Sequence, residues 1–264
     1  MKKYLVIGNP IDHSLSPELH NFWLEQNNIS GIYGKEKLSV ENLKNFFLRI
    51  RNKEISGANV TVPYKKDVIP YLDDLSIEAR STQSVNTIYL KDNKIIGHNT
   101  DIDGFKLAIK DTNYNVANKK ALIFGAGGVV SSIIFALHKM KVSEIFLCNR
   151  TRSKAESLKN LFENLKIIDW GEISDSHIII NATSVGLKQE DKLDLDLSKF
   201  VNADFFYDVI YNPNETNFLK TAKSLGKKSE NGRKMFIYQA AMSFKVWHSI
   251  EPEVNDKVYE LLDI

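Results

Sequence analysis

The chain has 264 residues, with 35 Lys and Arg against 33 Asp and Glu for a formal net charge of +2, and it is 43% hydrophobic and 26% charged. At roughly 150 residues per domain the length suggests about two domains, each with enough core to fold without disulfide staples. The composition argues against a disordered or membrane-embedded chain, and the near-neutral charge lacks the basic footprint of a nucleic-acid binder.

The start, Met1-Lys2-Lys3 followed by Tyr4 to Ile7, resembles the opening of a signal peptide. Its apolar run stops at Gly8-Asn9-Pro10, short of the roughly 7–15 residues a secretory core needs. Strands are expected at Lys3–Gly8, Ile55–Val60, Val85–Leu90, Ala121–Phe124, Glu144–Cys148, His177–Asn181 and Asp204–Val209. Between them, helical spacing marks Pro17–Gln26, Val40–Arg51, Gly104–Lys110, Gly128–His138 and Ser153–Leu161. This alternation predicts βαβ units and mainly parallel sheets. Asp92-Asn93 predicts a hairpin turn between Ser84–Leu90 and Ile95–Gly97. The stretch from Met235 to Ile264 reads as two further helices. The longest uncharged stretch, Ala121 to Leu137, is 17 residues broken by three glycines and two serines, too short and polar for a spanning helix. The single cysteine, Cys148, has no internal disulfide partner, which fits a reducing cytoplasm. A cytoplasmic protein is expected. The polar stretch Asp111–Lys120 marks a division between two domains.

After that division, Ala121–Phe124 runs into Gly125-Ala126-Gly127-Gly128 and then Val129–Leu137, which is strand, tight turn and helix. Such a turn lets backbone approach a dinucleotide pyrophosphate while the helix N-terminus supplies N–H donors. The usual third glycine is Val130 here. A plain tight turn is the bland alternative, and the strand–turn–helix context favours a cofactor. One strand later, where NAD sites place an acid for the ribose 2′-OH, the chain reads Asn149-Arg150-Thr151-Arg152-Ser153-Lys154. Guanidinium groups suit the 2′-phosphate of NADP. A solvated basic helix start is the alternative, but cations there oppose the helix dipole, which favours an anionic partner.

In the first half, Ser14 and Ser16 leave the first strand for a helix that opens at Pro17. Ser16 with Pro17 makes a good cap and first turn, whereas Ser14 gains nothing from that account. Together the two hydroxyls could hold a small carboxylate. Asn59, Thr61 and Lys65 follow a strand end, where open α/β sheets place ligands. Asn86 lies in an apolar strand, and a buried amide requires partners. Asp101 precedes a helix and has a simple alternative as its cap. Gln239 is a polar amide on the helical face of Met235, Met242 and Val246. The six histidines show no ligand-like spacing, so no metal is expected.

Taken in order, GNPIDHSLSPELHN (8–21), NVTVPYK (59–65), VNT (85–87), GHNTD (97–101), FGAGG (124–128), NRTRSK (149–154), NATSVG (181–186), DVIYNP with Thr216 (208–216) and NG..M...QA (231–240) resemble the shikimate dehydrogenase family. The ordered set covers almost the whole chain. The resemblance implies two α/β domains: a substrate domain over 1–101 completed by 235–264, and a Rossmann-type NADP domain over 102–234, with the C-terminal helices packing back on the first. It implies that Ser14 and Ser16, helped by Tyr211, bind the carboxylate of the cyclohexene substrate. Asn59, Thr61, Lys65, Asn86, Asp101 and Gln239 would surround the ring hydroxyls, with Lys65 and Asp101 as the catalytic pair. The cofactor would meet Gly125, Ala126, Gly127, Gly128 and Val129 at the turn, and Asn149 to Lys154 at the adenosine phosphate. Backbone at Val209 and Gly232, the Met235 side chain and Thr183 would lie near the nicotinamide.

The chain departs from the family at Gln83-Ser84, at Arg233-Lys234 and at Val130-Ser131-Ser132, in loops and packing rather than in the chemistry. On this reading the protein reduces 3-dehydroshikimate to shikimate with NADPH, as a monomer or homodimer without nucleic-acid or membrane partners. Two alternatives stand beside it: a broader quinate/shikimate dehydrogenase using NAD or NADP, and a non-catalytic NADP-binding sensor. A sensor would have no use for an acid/base pair.

Overall fold

A computed structural model describes residues 1–188 and 190–262. In chain order its elements are β1 (Lys2–Gly8), α1 (Ser16–Gln26), β2 (Gly31–Lys37), α2 (Leu43–Arg51), β3 (Gly57–Val60), β4 (Asp74–Leu75), α3 (Ile77–Thr82), β5 (Thr87–Lys91), β6 (Lys94–His98) and α4 (Asp101–Asp111). There follow β7 (Lys120–Phe124), α5 (Val130–Lys139), β8 (Glu144–Cys148), α6 (Arg152–Glu156), β9 (Lys166–Ile167), β10 (Ile178–Asn181), β11 (Phe205–Asp208), α7 (Asn217–Ser224), β12 (Lys228–Glu230), α8 (Arg233–His248) and α9 (Asp256–Leu261). The chain folds as two compact units. Among the described residues, one comprises Met1–Gly104 and those from Ile237 on; the other is Phe105–Phe236. Both boundaries fall inside helices, α4 and α8, rather than in the polar stretch before β7.

The first unit holds a six-stranded mixed sheet in the order β2-β1-β3-β5-β6-β4. β1 pairs in parallel with both β2 and β3, while β5 turns antiparallel against β3 and β6. Because β1 has a later strand on each side, the strand order switches between β1 and β3, and such switch points are where open α/β sheets place ligands at the carboxyl ends. One face of β1 carries Leu5 and Ile7, packed with Phe46, Phe47 and Ile50 of α2 and with Ala58 and Val60 of β3. The other face meets the C-terminal helices. Tyr4 lies 4.9 Å from the Trp247 ring, and Trp23 of α1 donates its indole N–H to the Glu253 carbonyl at 3.1 Å.

The second unit is a six-stranded, all-parallel sheet in the order β12-β11-β10-β7-β8-β9. Its strand order reverses between β7 and β10, as in doubly wound nucleotide-binding folds. β10 and β11 are buried at every position, as parallel strands covered on both faces must be.

The α/β architecture and the last two helices follow the sequence expectation, as does the hairpin at Asp92-Asn93, where both residues take positive φ. Absent from the expectation are β2, β4, β9 and β12. β2 reads GIYGKEK and alternates without an apolar run, being held by its ladder to β1 and by Asn21, whose side chain bonds both the N–H and C=O of Tyr33 at 2.9 and 2.8 Å. β4, β9 and β12 have two or three residues each, too few to carry a periodicity. The expected helix Ser153–Leu161 is α only to Glu156 and continues as a 3-10 turn over Ser157–Asn160.

Gly57 shows how tightly α8 seats on the first sheet. A Cβ there would lie 2.5 Å from the Trp247 indole nitrogen, and that indole is pinned by its N–H bond to the Ile88 carbonyl at 3.0 Å. Gly57→Ala is expected to destabilise the protein by about 1–3 kcal/mol through overpacking. Urea unfolding checks this, and an unchanged midpoint would show that the indole gives way freely.

Candidate functional site

The loop after β1 lies beside the loop after β3, since the Asn9 N–H bonds the Val62 carbonyl at 2.9 Å and Thr61 N–H returns to Ile7 at 2.9 Å. Leu15, not a serine, occupies the N-cap of α1 and makes no side-chain cap. The capping account of Ser16 is therefore replaced: Ser16 is the first helical residue, followed by Pro17. The Ser14 hydroxyl accepts the Ser16 N–H at 3.4 Å, and the Ser16 hydroxyl bonds the buried Tyr33 phenol. Tyr33 in turn donates to Asn59 Oδ1 at 2.7 Å.

Asn59 thus serves as an internal strut. Its Nδ2 reaches the Asn86 carbonyl at 3.0 Å, Thr87 Oγ1 at 3.3 Å and Ser243 Oγ at 2.9 Å. These partners hold its amide in place beside Asn86, and its Oδ1 keeps a second lone pair.

Lys65 and Asp101 meet directly, Nζ to Oδ2 at 2.5 Å, with side chains only 14% and 6% exposed. Asp101 opens α4, yet its carboxylate turns to Lys65 and Asn86 instead of capping the helix. Asn86 Nδ2 donates to Asp101 Oδ1 at 3.0 Å, to Thr100 Oγ1 at 2.9 Å and to Gln239 Oε1 at 3.3 Å. Its Oδ1 accepts the Thr100 N–H at 2.8 Å. Position 65 is itself held by the backbone, its carbonyl accepting the Val85 N–H at 2.8 Å. One ammonium and one carboxylate are therefore fixed among neutral amides and hydroxyls with little exposure to solvent. Removing either partner would strand a buried charge, a loss on the order of 3–5 kcal/mol.

Of the expected substrate residues, Ser14, Ser16, Asn59, Thr61, Lys65, Asn86, Asp101 and Gln239 belong to this unit. Tyr211 belongs to the second unit, where it stacks on Phe236 at 4.8 Å; burial raises its pKa. Sequence reading missed Tyr33, Thr87, Thr100 and Ser243 as members of the network. Ser243 lies four residues beyond Gln239 on α8, and its hydroxyl returns to the Gln239 carbonyl at 3.0 Å. That spacing is the one signal that could have marked it. His20, by contrast, is sealed in a ring cluster, stacked 4.2 Å from Tyr33. Burial lowers its pKa to about 3, so it stays neutral. Among the described residues no group of three or more His, Cys, Asp or Glu side chains is arranged to hold a metal.

In the second unit the glycine turn follows β7. Gly125 has φ +111°, and a Cβ there would lie 2.6 Å from the Ala182 carbonyl oxygen. At Gly127 a Cβ would meet nothing within 4 Å. Backbone is thus exposed at the second glycine, just before α5, whose N-cap Val129 makes no side-chain cap. This turn fits a pyrophosphate: open space, unshielded backbone and uncapped helix donors coincide. The segment Asn149–Lys154 leaves the end of the adjacent strand β8. Arg150 and Lys154 form no ion pair among the described residues, whereas Arg152 is held by Asp169 and, at 3.2 Å, by Glu156. The phosphate reading thus keeps two free cations, with the third already engaged.

Two neighbouring loops share a buried carboxylate. Asp208, fully buried at the end of β11, accepts Thr216 Oγ1 at 2.6 Å, the Ile210 N–H at 3.0 Å and Asn181 Nδ2 at 3.1 Å. Asn181 Oδ1 accepts the Thr183 hydroxyl at 2.7 Å. Gly232 sits against the same stretch, where a Cβ would lie 2.1 Å from the Val209 carbonyl oxygen. Met235, on α8 of this unit, is buried at 6% exposure.

Residues 6–88 match the family model for the shikimate dehydrogenase substrate binding domain, and residues 106–189 match that for shikimate / quinate 5-dehydrogenase. The shikimate dehydrogenase (NADP(+)) of Pelagibacter ubique strain HTCC1062 is 56% identical over 263 residues, covering 100% of this chain and 99% of its own. A shikimate dehydrogenase solved in complex with NADP+ aligns with a TM-score of 0.93 at 34% identity, over 100% of this chain and 95% of that one. The Thermus thermophilus enzyme, solved with NADP(H) and shikimate, gives 0.90 at 31%, over 99% and 98%.

Burial raises the Asp208 pKa from 3.8 to about 6, against the lowering effect of its three donors. The folded chain therefore holds this proton more tightly than the unfolded chain does. Its stabilisation is complete below the unfolded value and lost as pH rises through about 6. Between pH 4 and pH 7, wild-type stability relative to Asp208→Asn is expected to fall by on the order of 2 kcal/mol. Urea unfolding of both proteins at the two pH values measures it, and a pH-independent difference would contradict the assignment.

Proposed function

The chain belongs to the shikimate dehydrogenase family, and from that premise we propose that it catalyses the reversible NADPH-dependent reduction of 3-dehydroshikimate to shikimate, a step of aromatic amino acid biosynthesis. The observation that carries the chemistry is the Lys65–Asp101 pair at 2.5 Å, largely buried and ringed by neutral amides and hydroxyls. A binding-only protein has no need to keep an ammonium and a carboxylate out of water. No helix of the described residues is long and apolar enough to cross a membrane, and cytoplasmic action on a small-molecule substrate fits that and the single buried Cys148.

Residues 1–101 with 235–264 are taken as the substrate domain and 102–234 as the cofactor domain. NADP(H), when bound, supplies or accepts the hydride. The turn at Gly125–Val129 faces the pyrophosphate with backbone N–H groups, and Arg150 and Lys154, flanked by Asn149, Thr151, Arg152 and Ser153, hold the 2′-phosphate. Thr183, Val209, Gly232 and Met235 border the nicotinamide. In the substrate domain Ser14 and Ser16 hold the carboxylate, while Asn59, Thr61, Asn86, Asp101 and Gln239 surround the ring hydroxyls.

As the carbonyl oxygen gains alkoxide character, the Lys65 ammonium donates its proton from within hydrogen-bond reach, roughly 2.6–3.2 Å. Neutral Lys65 recovers a proton from solvent, and in the reverse direction it accepts one from the alcohol. Asp101 fixes the ammonium and accepts a bond from the neighbouring hydroxyl. The buried setting strengthens both contacts, because few water dipoles compete.

Initial rates at 340 nm with shikimate or quinate, each with NADP and NAD, test the whole reading. Activity strongly favouring shikimate with NADP is expected; equal turnover of quinate, or preference for NAD, would overturn the substrate or cofactor assignment. Lys65→Met is expected to lower kcat by about 10²-fold or more while moving KM much less, since the lost contact belongs mainly to the transition state. A near-normal kcat in that variant would remove Lys65 from the chemistry.

A further inference from the structure

The segment leaving β9, Ile168 to Gly171, carries a tryptophan that the proposed mechanism does not use. Trp170 remains 38% exposed, unusual for the largest apolar side chain on a surface with so few exposed aromatics. Its ring meets Phe124 edge-on, centroids 5.6 Å apart, and Phe124 is the residue immediately before Gly125 of the glycine turn. The preceding residue, Asp169, binds the Arg152 guanidinium at the start of α6. Asp169 is also braced at its N–H by Glu172 at 3.0 Å. The indole is thus tied on one side to the strand that feeds the glycine turn and on the other to the basic segment after β8. A flat, partly exposed π-surface stands where those two features converge.

We propose that Trp170 is a binding residue for the adenine ring of the cofactor, presenting its exposed indole as a stacking surface. The proposal rests on the NADP reading of this unit. Purine rings stack on aromatic side chains whatever their hydrogen-bonding edges, so one indole can hold the base while the specific contacts are left to the phosphate. Asp169, next to the indole, pairs with Arg152 and so joins the β9 exit to the basic segment.

The probe is adenosine 2′,5′-bisphosphate, which carries the base and the 2′-phosphate without the nicotinamide. Of the three tryptophans, Trp23 and Trp247 lie in the other unit, so quenching of emission by the probe reports Trp170. Quenching is expected in the wild type and should vanish in Trp170→Phe, while calorimetry shows that variant binding the probe within about threefold, its phenyl ring still stacking. Trp170→Ala is expected to bind about tenfold more weakly, with its KM for NADP raised and its KM for shikimate unmoved. Unquenched wild-type emission with probe bound, or Trp170→Ala binding as the wild type does, overturns the proposal and leaves the NADP reading standing. If the wild type binds adenosine 5′-monophosphate as tightly as the bisphosphate, the 2′-phosphate reading falls while the stacking role survives. No binding of either nucleotide overturns both.

Discussion

A buried primary amide has two donors and an acceptor with two lone pairs to satisfy, and Asn86, just before β5, sets that demand in the first unit. Its side chain reaches Thr100, Asp101 and Gln239, and its own carbonyl accepts both the Val60 N–H and the Asn59 side chain. Strands β3 and β5, the start of α4 and the first turns of α8 therefore converge on one residue. Apolar packing alone would tolerate small slips of each element, because burial is not directional. Hydrogen-bond geometry is directional, and an unmet buried polar group costs about 1–3 kcal/mol. The position of Asp101 relative to Lys65 is thereby inherited from the satisfaction of an uncharged neighbour.

The second unit solves a related problem with a charge. Asp208 gathers Thr216, Ile210 and Asn181, linking the loops after β10 and β11 to the start of α7. None of these donors is a cation, so burial prevails and its pKa rises. A neutral asparagine in that place could accept two of the bonds but not all three at both oxygens. The carboxylate's greater accepting capacity explains its presence despite the desolvation it suffers. Both units thus anchor their loops on a buried polar residue at or next to a strand end.

Much of this was legible from residue order. Parallel β-structure announces itself in short β-branched runs such as Ile178–Ile180, and the strand–glycine–helix pattern at Phe124–Val130 marks a turn whose Gly125 needs positive φ. Lys65, Asn86 and Asp101 could be selected because each is a polar residue at a strand end or helix start, and the fold brings them together. What sequence could not supply was direction. Asn59 looks equivalent to Asn86 in one dimension, yet Tyr33 and Ser243 absorb its amide. Tyr33 itself lies on an edge strand with no apolar run, its position dictated by Asn21 and by stacking on His20. Ser16 carried every mark of a helix cap and is not one, because it is itself the first helical residue, with Leu15 at the cap position and Pro17 after it.

Charge is the property that linear reading counted most crudely. Arg150, Arg152 and Lys154 look like three equal cations, but among the described residues only Arg152 forms ion pairs. Its side chain is 51% exposed and that of Asp169 76%, so solvent screens the pair and it contributes little to stability. A bond so weak cannot be what stabilises the helix start. It can set which guanidinium is free, because the choice among three similar side chains needs only a small bias. A bidentate fork facing a dianion gains far more than an exposed carboxylate pair gives back. The segment therefore keeps its cations soluble and ordered by lending one of them to Asp169, while the other two remain open to a phosphate. The same contact joins the start of α6 to the exit of β9, beside the neighbouring indole.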